Sequence, residues 1–184
     1  MQPPVGYLVN LPSGLSGATG TFYDYLLAFN GLFIRSSNNF IKATIPLSEV
    51  PVRGLAPLDQ QIQLIHGKIP GWLGELALNI MEAKKDQETY LAITHDKEYQ
   101  LKFPAQQADS SHVTYTTVPN TVVELHSHPG ELGAFFSLQD REDEQGYKIF
   151  VVLGHVGDDV PDYEAKLGIY GHFAPMKWEE VFDV

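Results

Sequence analysis

The sequence predicts a mixed α/β or α+β domain built on one sheet, preceded by a β-rich N-terminal extension. Three observations predict it. Short apolar, aromatic and β-branched runs bounded by turn residues recur along most of the chain. One clear stretch, after Pro70, carries apolar residues at helical spacing. With 43% hydrophobic and 19% charged residues, the 184-residue chain buries a core and fits one domain plus an appendage. The expected boundary divides residues 1–67 from residues 68–184.

Residues 1–20 are rich in Pro, Gly and Ser and read as an irregular leader. Gly14, Gly17 and Gly20 superficially resemble a phosphate loop, but no clear strand precedes them and no Lys follows. In FYDYLLAFNGLFIRSS, Asn30-Gly31 between two apolar runs predicts a hairpin with a type I′ turn. A strand from Phe40 to Leu47 extends it. Pro46, Pro51 and Pro57 then break regular structure, so residues 48–68 read as a connecting segment. Pro70 suits a helix first turn, and Trp72, Leu73, Leu76, Ile80 and Met81 predict an amphipathic helix ending near Lys85. ETYLAITHDKEYQLKF reads as two strands around His95-Asp96-Lys97, and HVTYTTV and TVVELHSH as two more. A second helix is expected from about Leu138 to Gln145. The strand Ile149–Leu153, another over Ala165–Phe173 and a short piece around Trp178 complete the order.

Charge and composition exclude several functions. Twelve Lys and Arg against 23 Asp and Glu give a net charge of −11, with no basic run to neutralise phosphates. Nucleic acid and anionic membranes are therefore not expected partners. The absence of Cys removes disulfides, a thiol nucleophile and a thiolate zinc site, so any metal rests on His, Asp or Glu. The first residues lack the basic start and apolar run of a signal peptide, and no window approaches a membrane span. A soluble, cytoplasmic protein is expected.

Chemistry concentrates in VVELHSHPGELGAFFSLQDREDE, residues 122–144. His126 and His128 stand two apart on an expected strand, so both imidazoles project to one face. Pro129 ends the strand, and a Gly-containing turn leads to Ser137 and Asp140 at the start of the expected helix. The reversal brings Asp140 back over the histidine pair. His126, His128 and Asp140 then make three ligands, the number that catalytic zinc sites commonly use while keeping a fourth position for water.

The run HSHP followed by Ser137-x-x-Asp140 resembles the signature of the JAMM (JAB/MPN) zinc metallopeptidases. AFFS followed by an acidic stretch most resembles the bacterial branch of the PRTRC system protein A type. The likeness covers about residues 68–173. It implies a JAB/MPN-like sheet flanked by helices, with a cytidine-deaminase-like architecture. It also implies a general base just after the first helix, a place that Glu88 occupies. By the same resemblance zinc on His126, His128 and Asp140 lowers the pKa of its water towards about 7. Glu88 takes the proton and passes it to the leaving amine, and Ser137 donates to the oxyanion. The bond cleaved is an amide, often the isopeptide after a ubiquitin-like C-terminus. A ubiquitin-like protein and an activating enzyme of the ThiF (E1-like) type are the implied partners. One departure from the family pattern is that eight residues separate His128 from Ser137, one more than is usual.

Each residue also has a plainer reading. Ser137 and Asp140 make a helix capping box, and Glu88 suits a solvated helix end. Glu124, two before His126 on the same strand face, rivals Glu88 as base or serves as a hydrogen-bond partner to a ligand imidazole. His155 and His172 lack ligand spacing and read as surface or core histidines. Asp140–Glu144 suits a helix N-terminus, and Phe135 and Phe136 line either a groove or the core. Two other functions share the same residues: a non-catalytic MPN-type scaffold, and a zinc amidohydrolase acting on a small amide.

Overall fold

Two apolar, aromatic-rich runs around Asn30-Gly31 form the expected hairpin, although its turn differs from the expected one. In the computed structural model, which describes residues 2–108, 113–137 and 145–183, β3 (Tyr23–Ala28) and β4 (Gly31–Ser37) pair with Ala28 opposite Gly31. The two-residue loop is therefore Phe29-Asn30, and neither residue has a positive φ. Gly31 itself sits at φ 142°, where an added Cβ would overlap the Ser48 carbonyl. Close approach of β5 (Ile41–Ser48), with a register shift between Leu32 and Phe33, explains the glycine.

The chain divides into two compact units, Met1–Gly67 and Lys68–Val184. The first is a six-stranded sheet of order β2-β1-β3-β4-β5-β6. Its leader is not irregular. Val5–Leu11 forms β1, parallel to β3, and Gly14–Ala18 forms β2, antiparallel to β1. Gly17 lies at φ 127° where a Cβ would overlap the Tyr7 carbonyl, and a Cβ on Gly20 would overlap Gly6 N, so these two glycines allow close backbone packing. The connecting segment also carries a strand, β6 (Gln61–Leu64), which closes the far edge against β5. Leu8, Leu26, Ala28 and Phe33 bury one face, joined by Leu58.

The second unit is mixed α+β and strand-rich. Its main sheet has the order β14-β13-β12-β11-β7-β8, with β7 Thr89–His95, β8 Tyr99–Lys102, β11 Thr121–Ser127, β12 Tyr147–Gly154, β13 Asp162–Ile169 and β14 His172–Met176. A two-stranded ribbon of β9 (Gln106–Ala108) and β10 (Val113–Tyr115) stands apart. The stretch expected as one strand, Ala165–Phe173, is a hairpin turning at Tyr170-Gly171, both with positive φ. The helices described are α1 (Gly71–Glu82) and α2 (Trp178–Val181). The helix expected over Leu138 to Gln145 falls on residues 138–144, outside the described residues. No helix among the described residues is long and apolar enough to cross a membrane.

Register separates the sheet's two faces. One is mainly apolar: Leu91 and Ile93, Val123 and Leu125, Ile149, Val151 and Leu153, then Leu167 and Ile169 are all buried, with Thr89 and Ser127 the buried polar residues at its end. The other carries Tyr90, Glu124, His126, Lys148, Phe150 and Lys166. α1 starts after Pro70 as expected but ends at Glu82, and it buries Leu73, Gly74, Ala77 and Met81 while Trp72 and Leu76 stay exposed. The buried stripe is turned towards Gly74 because α2 packs there, its Trp178 ring stacked on Phe182 at 4.1 Å. A Cβ on Gly74 would stand 2.6 Å from Trp178 Cζ2 and 3.3 Å from Phe182 Cδ1. Gly74→Ala is therefore expected to destabilise the protein by about 1–3 kcal/mol, against the gain of about 1 kcal/mol that alanine brings to an open helix site. Urea denaturation of the two proteins checks the sign.

Candidate metal centre

β11 and β12 are parallel neighbours, so the chain between them crosses from one end of the sheet to the other. The crossover leaves from the C-terminal end of β11. At that end lie the start of β7, which is antiparallel to β11, the end of β12 and the start of β13. Ligand sites of open sheets favour such carboxyl ends.

His126 stands on β11 between Tyr90 of β7 and Val152 of β12. His128 lies just past the strand but keeps its line, its N–H donating to the Leu153 carbonyl at 2.9 Å. The two rings are 5.6 Å apart. His128 is 4% exposed and His126 is half-buried. Nδ1 of His128 lies 3.0 Å from the Gly133 carbonyl oxygen. A carbonyl only accepts, so Nδ1 carries a proton, and in the neutral ring Nε2 then holds the lone pair. This is the tautomer of a metal-ligating histidine whose other nitrogen is held by a second group.

Glu88 directly precedes β7 and is half-buried. The β7–β11 ladder ends with Ser127 opposite Thr89, so Glu88 lies at the sheet end from which the chain runs on to His128. Ser137 is half-buried at the end of the segment that follows Phe135 and Phe136. Phe135 packs on His128 at 4.4 Å between ring centroids, and Phe136 on His126 at 6.4 Å. Asp140 lies outside the described residues. Among the described residues no three His, Asp or Glu side chains gather to hold a metal ion, and the His126–His128 pair is the donor set in view.

Glu124 has another occupation. It is 6% exposed, and its Oε1 accepts from Lys148 Nζ at 2.7 Å and from the Tyr90 hydroxyl at 3.0 Å. The three residues come from β11, β12 and β7 and tie those strands together on the face that carries His126. Tyr90 stacks on Tyr115 at 3.5 Å, and the Gln106 amide bonds both its backbone N–H and its carbonyl. Burial, and after it the Glu124 charge, raises the Tyr90 pKa above its ordinary value of 10.0.

Sequence reasoning passed over Asp162. Its carboxylate accepts from Ala134 N–H at 3.2 and 3.1 Å and from His155 Nδ1 at 3.1 Å. His155, read from sequence as an ordinary histidine, thus belongs to the loop that holds His128. His172 begins β14 opposite Ile169, away from the histidine pair in the strand order. Beside Phe136, grooves of about 320 and 470 Å³ are lined by Phe173, Glu164 and Lys166. Lys166 Nζ sits 3.4 Å from the Phe136 ring centroid and 4.4 Å from that of Phe173. No protein-family model and no curated protein matches the chain.

The Glu124 network yields a stability test. Lys148→Met strands a buried carboxylate and is expected to cost about 3–5 kcal/mol, whereas the double variant with Glu124→Gln costs less. The neutral Tyr90 phenol contributes stability below about pH 10 that is lost as the pH rises beyond it, because unfolding then releases its proton. Urea midpoints between pH 8 and 11 are expected to fall less steeply in Tyr90→Phe than in the natural protein.

Proposed function

We propose that the chain is a JAMM-type zinc metallopeptidase that hydrolyses the amide following a ubiquitin-like C-terminus. One observation carries this reading: two imidazoles share a sheet face, and the Nδ1–H of His128 is fixed on the Gly133 carbonyl so that Nε2 presents a lone pair. That donor chemistry fits zinc, which takes neutral imidazole and carboxylate ligands. His126, His128 and Asp140 would hold the ion. Bound there, zinc supplies the Lewis acidity that makes water a nucleophile near neutral pH.

The chain's own residues supply the rest. The Glu88 carboxylate, entering from the start of β7, accepts the proton of the attacking water and delivers it to the leaving nitrogen. The Ser137 hydroxyl donates to the oxygen on which negative charge develops. Phe135 and Phe136 pack on the imidazoles and flank the donor pair. The finer fold reading goes with this function: a helix-flanked JAB/MPN-like sheet of cytidine-deaminase-like architecture, in a cytoplasmic protein partnered by a ubiquitin-like protein and a ThiF-type enzyme.

Metal analysis after zinc addition and desalting tests the proposal. One zinc per chain is expected, with loss in His128→Ala and in Asp140→Ala. Glu88→Gln is expected to keep its zinc while kcat on a ubiquitin-like fusion falls about 10²–10⁴-fold, the usual worth of a general base. A natural protein that holds no more zinc than the two alanine variants overturns the metal reading. Zinc binding with turnover of small amides alone overturns the ubiquitin-like substrate.

A further inference from the structure

The segment leaving His128 is held on three sides. Gly130 N–H donates to the Lys85 carbonyl at 2.8 Å, and His155 N–H to the Leu132 carbonyl at 2.9 Å. Ala134 N–H donates to both carboxylate oxygens of Asp162. Between these last two anchors lies Gly133, whose carbonyl orients His128. Gly154, opposite Asp162 in the β12–β13 ladder, lies so close beneath that a Cβ there would overlap Ala134 N and Gly133 C. His155 follows at φ 49°, a left-handed conformation that turns its ring to Asp162 Oδ1 at 3.1 Å. An aspartate 34 positions beyond His128 thus reaches it through two links, each with a defined hydrogen bond.

We infer that Asp162, with His155 as its partner, is a positioning residue for His128, acting through the Leu132–Ala134 segment. This rests on the metal reading given above for its zinc consequence and on the hydrogen bonds alone for its structural one. Asp162 is half exposed and lies at the start of β13, so the fold tolerates its loss. What it fixes is the height of the Gly133 carbonyl over the sheet end, and through it the ring plane and tautomer of His128. Groups that hold a ligand imidazole in this way are worth about 10–100-fold in metal affinity.

Two readouts test the inference on the full-length protein. In the metal-free state, hydrogen exchange is measured at the amides of Leu132–Phe136 and at the His128 Nδ1–H resonance. Asp162→Ala is expected to speed exchange at these sites at least tenfold, with the amides of β11 unchanged. Asp158→Ala, on the neighbouring loop, is expected to leave them as in the natural protein. Zinc affinity is then measured against a competing chelator, with a 10–100-fold loss expected in Asp162→Ala and a smaller one in His155→Gln, which keeps a donor for the carboxylate. Unchanged exchange in Asp162→Ala overturns the inference, as does exchange that rises uniformly over the whole sheet. A natural protein that binds no zinc overturns the metal reading instead, and the exchange measurement still decides the clamp.

Discussion

Parallel pairing of β11 with β12 is the constraint on which the rest of the second unit depends. Antiparallel neighbours can be joined by a tight turn, but parallel ones oblige the chain to return along the sheet before the next strand starts. The returning segment must leave from the end where His126 and His128 stand. Because β7 runs against β11, its first residues, and Glu88 before them, come to the same end. Because β13 runs against β12, its first residue, Asp162, does so too. Residues spread over 74 positions of sequence, Glu88 to Asp162, are thereby gathered by strand direction alone.

Strand alternation then divides the work. One face of the sheet is predominantly apolar from β7 to β13, Thr89 and Ser127 excepted, and supplies the burial that holds the unit together. The other accepts polar groups only where they satisfy one another. Glu124 meets Lys148 and Tyr90, and Tyr90 is covered by Tyr115 with its backbone clamped by Gln106. A half-satisfied network at this depth would destabilise the sheet. The completed one links β7, β11 and β12, so His126 projects from a strand tied to both of its neighbours.

Much of this was legible from local pattern. His126 and His128 share a face because strand side chains have period two, and the run Ile149–Leu153 reads as a strand because it is apolar on both faces. Other elements were not. Residues 5–18 form a hairpin whose glycines mask it in composition, since Gly17 is required by close backbone approach and contributes nothing to β propensity. Gln106–Ala108 has no apolar alternation, and its place beside β7 rests on the Gln106 amide binding Tyr90 and on Tyr115 of its partner β10 stacking on the Tyr90 ring. Asp162 had no signal near the histidines because its link to Ala134 exists only once β12 and β13 have paired. Apolar spacing found α1 but not which side it buries, which α2 decides through Gly74.

The same geometry separates the two glutamates that compete for the role of base. Glu124 is nearer to His126 in sequence and shares its face, yet its Oε1 carries two donors, one of them a lysine at 2.7 Å. A buried carboxylate paired in this way is committed to Lys148 and Tyr90, and turning it to another partner would strand the lysine. Glu88 stands instead at the sheet end, just before β7, where the chain leaves His128. His128 Nδ1 is oriented by the Gly133 carbonyl, a neutral acceptor. In the proposed hydrolase the charge that balances zinc is then carried by Asp140, and the proton traffic falls to Glu88.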